Sequence, residues 1–210
     1  MLDLEEQEKV DALKSWWDDH RVSVIAIFVA GLAAYGGFTG WNAWKARQAE
    51  QAAQQFAAFE KAAGSGDADK VLAAAKVIEE AVPGSPFSAR AALTCSQRLQ
   101  AAGKTADAQT QLRWVIDHAR ETQLQTIARL RLSGLLADAQ KYPEALELLD
   151  SGTDPAFASM VADRKGDILL AQGKTADART SYQAALKAAD EGQALRGLVQ
   201  AKLDALGAGQ

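Results

Sequence analysis

Cysteine, histidine and strand-forming patterns are what this chain has least of, and each shortage removes a class of answers. Cys95 is the only cysteine, so no internal disulfide can form. It falls among Ala92, Leu93 and Leu99 of a helical segment, which reads as a buried, inert thiol rather than a nucleophile. His20 and His118 lie far apart in the sequence, and neither has a neighbouring histidine at metal-ligand spacing. Each reads as a solvated histidine. β-Branched and aromatic residues do not alternate at period two and Asn-Gly dipeptides are missing, so strands have no support. Gly-Lys-Thr occurs twice, but a phosphate-binding loop needs glycine five residues earlier, where Arg98 and Ile168 stand. Acidic pairs at helical spacing, such as Asp163 and Asp167, read as ordinary surface charges. With no acid–base pair, nucleophile, metal cluster or cofactor motif, the chain does not read as an enzyme.

Charge is scarce where the chain is most apolar. Residues 22–44, VSVIAIFVAGLAAYGGFTGWNAW, carry no ionisable side chain except the phenol of Tyr35, and lie between Arg21 and Lys45. As a helix this stretch would be about 34 Å long, enough to cross a hydrocarbon core of roughly 30 Å. Trp16 and Trp17 precede it and Trp41 and Trp44 end it, at the depths where amphipathic rings collect. The apolar run is too long, and the leader too acidic, for a cleaved signal peptide. A core helix of this length would need a large surrounding bundle that the amphipathic remainder does not supply. The expectation is one membrane-spanning helix in a lipid bilayer.

Before the span, residues 1–21 hold three Lys/Arg against seven Asp/Glu, which accounts for the whole net charge of −4. The remainder is neutral, its basic residues mixed with acidic ones, and offers nucleic acid no electrostatic footprint. Val10, Leu13 and Trp17 fall on one helical face of the tail. Because the tail is acidic, a solvated helix fits it better than one lying on anionic lipid. Lys and Arg are nearly balanced across the span, so orientation is not readable from charge. Within the span, Ala26, Ala30 and Ala34 recur every four residues and Gly36 and Gly40 form G-x-x-x-G, a surface on which another helix can pack closely.

Past the span the chain punctuates helices. Ser85-Pro86 and Asp154-Pro155 each place a capping side chain before a proline at the first helical position, and Pro143-Glu144 begins another helix. Thr105 and Thr175 read as caps with Asp107 and Asp177 in the first turn. Thr122 with Gln125, and Asp190 with Gln193, have capping-box spacing. GKTADA occurs at 103–108 and 173–178, and QKYPEA holds the same place at 140–145. Twelve residues before the closing alanines 108, 145 and 178 stand Ser96, Ser133 and Gly166. Four residues after them stand Leu112, Leu149 and Tyr182. This pattern resembles the tetratricopeptide repeat, a helix–turn–helix unit whose small residues permit close crossing. The repeat tryptophan is absent, and Lys165 stands where the second repeat has Leu132. A weaker unit spans about 46–83, with its turn at GSGD (64–67), and a helix from about 191 to 206 would cap the end. The expected fold is all-α: a single transmembrane helix, then a solenoid of three to four degenerate repeats with a capping helix.

The order of parts resembles a family. EKVDALKSWWDDH in the tail, a span ending GWNAW, the helix QAEQAAQQFAAFEKA, and MVADRKGDILLAQGKTADARTSYQAALK near the end are similar to YfgM-type ancillary subunits of the SecYEG translocon. The resemblance implies a cytoplasmic tail (1–21), an inner-membrane helix (22–44) and a periplasmic tetratricopeptide-like domain (45–210). It implies passage of newly exported polypeptides toward periplasmic chaperones beside a PpiD-type membrane-anchored chaperone, and a regulatory role for the tail. On that reading the first helices of the repeats line a groove for partner segments, with Arg90, Leu93, Gln97, Leu130, Asp138, Met160, Asp163 and Asp167 facing it. A scaffold for another envelope assembly is the alternative, since repeat folds are shared among functions.

Overall fold

A computed structural model describes residues 4–150, 152–189 and 194–208. Among these residues there is no strand. The chain divides into two units, residues 1–50 and 51–210.

The described part of the first unit lies in α1 (Leu4–Ala63), an unbroken helix that contains the tail from Leu4 onward, the apolar span and the segment after it. These three pieces, separate in the sequence reading, join because no proline interrupts them. The only irregular bonding recorded within the span is from Thr39, whose hydroxyl donates to the carbonyls of Tyr35 and Gly36. The helix is long and apolar enough to cross a membrane, and none of its most apolar stretch is buried by protein. Val22, Ile27, Phe28 and Tyr35 are each two-thirds or more exposed. That much contiguous apolar surface is unfavourable in water and marks a surface that something else must cover.

The second unit begins with the end of α1. Ala52 and Phe59 are buried, and Phe59 joins the core of α2 (Ala68–Ala81) and α3 (Pro86–Ala101). The helix pairs that follow are α3 with α4 (Thr105–His118), α5 (Thr122–Asp138) with α6 (Tyr142–Asp150), and α7 (Ala158–Ala171) with α8 (Thr175–Ala188). The last helix, α9 (Ala194–Ala208), packs on α8. One core runs from Phe59 through Ile78, Cys95, Leu112 and Leu136 to Ile168. A second forms around Tyr182, Ala185 and Val199.

Several helix ends follow the sequence punctuation. Asp67 accepts from the backbone N–H groups of Asp69 and Lys70, and Ser85 accepts from that of Phe87. Asp154 caps a 3-10 turn (Pro155–Phe157) that leads into α7. Ser88 Oγ donates to the carbonyls of Ile78 and Val82, tying the start of α3 to the end of α2.

The threonine caps are corrected. Lys104 and Lys174 are the N-caps of α4 and α8, neither with a side-chain capping bond, and Thr105 and Thr175 are already helical. Glu121 rather than Thr122 is the N-cap of α5, so no capping box forms with Gln125. Instead Gln125 Nε2 reaches the Ala119 carbonyl at 2.7 Å. Asp190 and Gln193 lie outside the described residues. Lys165, out of place against Leu132, has its own function in the packing: its ammonium pairs with Asp150 of α6 at 2.7 Å.

The repeat motifs mark the turns between paired helices. Lys104, Lys141 and Lys174 each donate a backbone N–H to the carbonyl five residues back, closing the preceding helix in a Schellman-type turn. That turn needs a left-handed residue just before the lysine, supplied by Gly103 (φ 74°), Gln140 (φ 59°) and Gly173 (φ 75°). Gly166 serves a different need. A Cβ there would come within 2.5 Å of the Tyr182 ring, so the small residue permits the larger aromatic that replaces Leu112 and Leu149 of the earlier repeats.

Candidate protein-binding groove

The helices of the second unit form two layers with different spacing. α5 contacts α3 and α7 directly, whereas no comparable contact joins α4 to α6 or α6 to α8. The first helices therefore make the tighter, inner layer, and the second helices splay apart on the outside. A cleft of about 400 Å³ opens between α4 and α6 over α5, lined by apolar Ile116, Leu136 and Leu148 with Arg113, Arg129 and Glu147 at its polar edges.

Residues placed on the inner face by repeat spacing divide into two groups. Arg90, Gln97, Asp138 and Met160 are exposed and Leu130 is half-buried, so these five are accessible to a partner. Leu93 is buried in the core at 7% exposure. Asp163 and Asp167 are already engaged. Lys202 of α9 places its ammonium 2.7 Å from a carboxylate oxygen of each, and the Tyr182 hydroxyl donates to Asp167 at 2.8 Å. These are not the ordinary surface charges expected from their helical spacing: Asp163 is only 9% exposed. Burial is the main cause that pushes the Tyr182 phenol above its usual value, with the hydrogen bond to Asp167 adding to it.

Lys202 had no signal in the sequence, because α9 lacks the repeat pattern that would fix its register. Two other cations were visible in the pattern but not singled out. Arg131 stands two residues before Ser133 and Arg164 two before Gly166, at equivalent places on α5 and α7. Arg131 Nη1 donates to the Leu93 carbonyl of α3 at 3.1 Å. The Arg164 guanidinium lies over Gly134 of α5, where a Cβ would be 3.3 Å from Nη1.

Other candidates are placed plainly. Cys95 is fully buried, and burial pushes its thiol up to about 12, so it is a packing residue. His20 and His118 are exposed and stack on Trp16 and Trp114 one turn earlier, with ring centroids 5.1 and 4.7 Å apart. Ala26, Ala30, Ala34, Gly36 and Gly40 are all exposed on α1, and a Cβ at either of those two glycines would meet nothing within 4 Å.

Comparison with known proteins gives the same architecture a family. A profile described as a tetratricopeptide repeat-like domain matches residues 14–208. The chain is 29% identical to a Neisseria gonorrhoeae protein named ancillary SecYEG translocon subunit, over 97% of this chain and 98% of that one. Proteins of the same name from Escherichia coli K12 and Aggregatibacter actinomycetemcomitans are 26% and 28% identical. The first alignment covers 96% of each chain, the second 97% of this chain and 98% of its relative. With a profile match reaching from before the apolar span to the last described helix, the chain belongs to the tetratricopeptide repeat-like domain family.

Proposed function

We propose that this protein is an inner-membrane-anchored, protein-binding subunit associated with the Sec translocon, which helps pass newly exported chains to periplasmic chaperones. The observation that carries the reading is similarity over nearly the full length, anchor included, to proteins named as ancillary SecYEG translocon subunits. In this arrangement residues 1–21 are a cytoplasmic tail with a regulatory partner, residues 22–44 cross the bilayer, and residues 45–210 lie in the periplasm. The work done is binding, not catalysis. Exposed Arg90, Gln97 and Met160 and half-buried Leu130 receive segments of exported polypeptides or of a PpiD-type chaperone. The exposed Ala26, Ala30, Ala34, Gly36 and Gly40 admit a neighbouring helix in the membrane, where packing rather than hydrophobicity drives association. Tethering raises the local concentration of the groove beside the channel exit, so weak contacts suffice.

In-cell photo-crosslinking from a probe replacing Leu130, and separately Ala34, tests the reading. Adducts with translocon subunits from Ala34 and with chaperones or exported chains from Leu130 are expected. Capture of a different envelope complex at both sites would replace the export role with a scaffold.

A further inference from the structure

The inner layer carries a repeated electrostatic arrangement that is complete at one seam and incomplete at two. At the α7–α9 seam, Lys202 reaches back to Asp163 and Asp167, which stand three residues before and one after Gly166. Arg131 and Arg164 reach back across the α3–α5 and α5–α7 seams to the same repeat positions. Arg131 meets Leu93, three before Ser96, and Arg164 meets Gly134, one after Ser133. At these two seams the receiving positions hold Leu93, Gln97, Leu130 and Gly134 in place of carboxylates. Among the described residues no Asp or Glu lies within ion-pair distance of either arginine.

A half-buried guanidinium without a counterion is costly, and its five N–H donors are far from used by one carbonyl. Burial pushes Arg131 below its ordinary value, and no carboxylate opposes the shift. Exposed Arg90 adds a third positive charge on α3, with Asp138 the one exposed acid among the inner-face positions. We infer that the α3–α5–α7 seam binds an acidic polypeptide segment in extended form, whose carboxylates lie on Arg131 and Arg164. This deepens, and rests on, the reading of the inner face as a partner groove.

The spacing fits such a chain. Neighbouring packed helices lie about 8–10 Å apart. An extended segment rises about 3.3 Å per residue and alternates its side chains between two faces, so carboxylates two residues apart share one face about 6.6 Å apart and the long arginine side chains close the rest of that step. Arginine suits the task because its planar fork grips a carboxylate with two parallel bonds. Half-buried Ile127 and Leu130 on α5 give apolar contact to intervening side chains, which a polypeptide can use and a free anion cannot.

The test uses the full chain in micelles of a neutral detergent and a fluorescent ten-residue peptide of Ser and Ala, with two glutamates two residues apart. Its counterpart carries glutamine at both places. The glutamate peptide should bind at least about tenfold more tightly and lose affinity as salt rises. R164Q, whose side chain makes no recorded hydrogen bond, should weaken binding by about fivefold or more. R131Q combined with R164Q should bring the glutamate peptide down to the level of the glutamine peptide, with unchanged helical circular dichroism. Equal affinity for the two peptides, or wild-type binding by the double variant, would overturn the inference. So would displacement of the peptide by phosphatidylglycerol but not by unlabelled glutamate peptide. Crosslinking from Leu130 separates this result from the export role. If R131Q/R164Q still captures the same proteins from Leu130, the acidic-segment inference falls and the function stands. If the peptide binds through both arginines while Leu130 captures no export partner, the seam chemistry stands and the function falls.

Discussion

At the scale of single residues, one buried acid makes stability depend on pH. Glu79 of α2 is 7% exposed, and burial pushes its carboxyl up to about 7, against opposition from Gln111, Lys76 and His118 and with help from Glu80. Its Oε1 and that of Gln111 both lack a hydrogen-bond partner. Because the folded value lies above the ordinary 4.5, the folded state holds more protons than the unfolded state between pH 4.5 and about 7. Stability from this site is therefore greatest below that window, falls through it and levels off above it. Replacing Glu79 with Gln removes the buried charge and offers an amide N–H to Gln111 Oε1. Denaturant midpoints should show E79Q more stable than wild type at pH 8 by up to about 3 kcal/mol, with the advantage shrinking to near zero at pH 4. An advantage of equal size at both pH values would refute the assignment. The composition contained Glu79, but its burial depends on α2 packing against the neighbouring pair, which no local pattern encodes.

At the scale of elements, helix ends were legible where a capping side chain precedes a proline, as at Ser85 and Asp154, whereas at Asp67 only the turn was legible and not its capping carboxylate. They were displaced by one residue at α4, α5 and α8. There the N-caps are Lys104, Glu121 and Lys174, none of which makes a side-chain capping bond. A threonine next to the true N-cap then looks like the cap. At α4 and α8 the backbone turn at the glycine sets the boundary. The same turn at the end of α5 rests on Gln140, whose φ of 59° carries a Cβ penalty that Gly103 and Gly173 avoid. Gln140→Gly should therefore stabilise the protein by about 0.5–1 kcal/mol, the relief of strain exceeding the added freedom of the unfolded chain. Thermal unfolding followed by circular dichroism would register this as a rise of a few degrees in Tm. A lowered Tm would mean that the glutamine side chain contributes more than its backbone strain costs. The repeats were legible because their turns and small residues recur. The cation seam was less so, since Arg131 and Arg164 show their relation only when both are seen to reach the preceding first helix.

At the scale of the whole molecule, the apolar span was the plainest feature of the sequence, and orientation the least accessible, because cations nearly balance across it. The second compact unit begins at Gln51, close to the buried Ala52. The proposed topology has a direct chemical test that the chain's own composition makes clean. Cys95 is fully buried with its thiol raised to about 12, so the native protein should react negligibly with a membrane-impermeant maleimide. Asp11 in the tail and Gln97 on α3 are both exposed, and either can be replaced by cysteine without disturbing the core. In cells with a permeabilised outer membrane and intact inner membrane, Q97C should label within minutes, and D11C only after the inner membrane is opened. The opposite pattern would place the repeats in the cytoplasm and remove exported chains from the groove. Equal labelling of both before lysis would mean that residues 22–44 do not separate the two positions, and the anchor itself would fall.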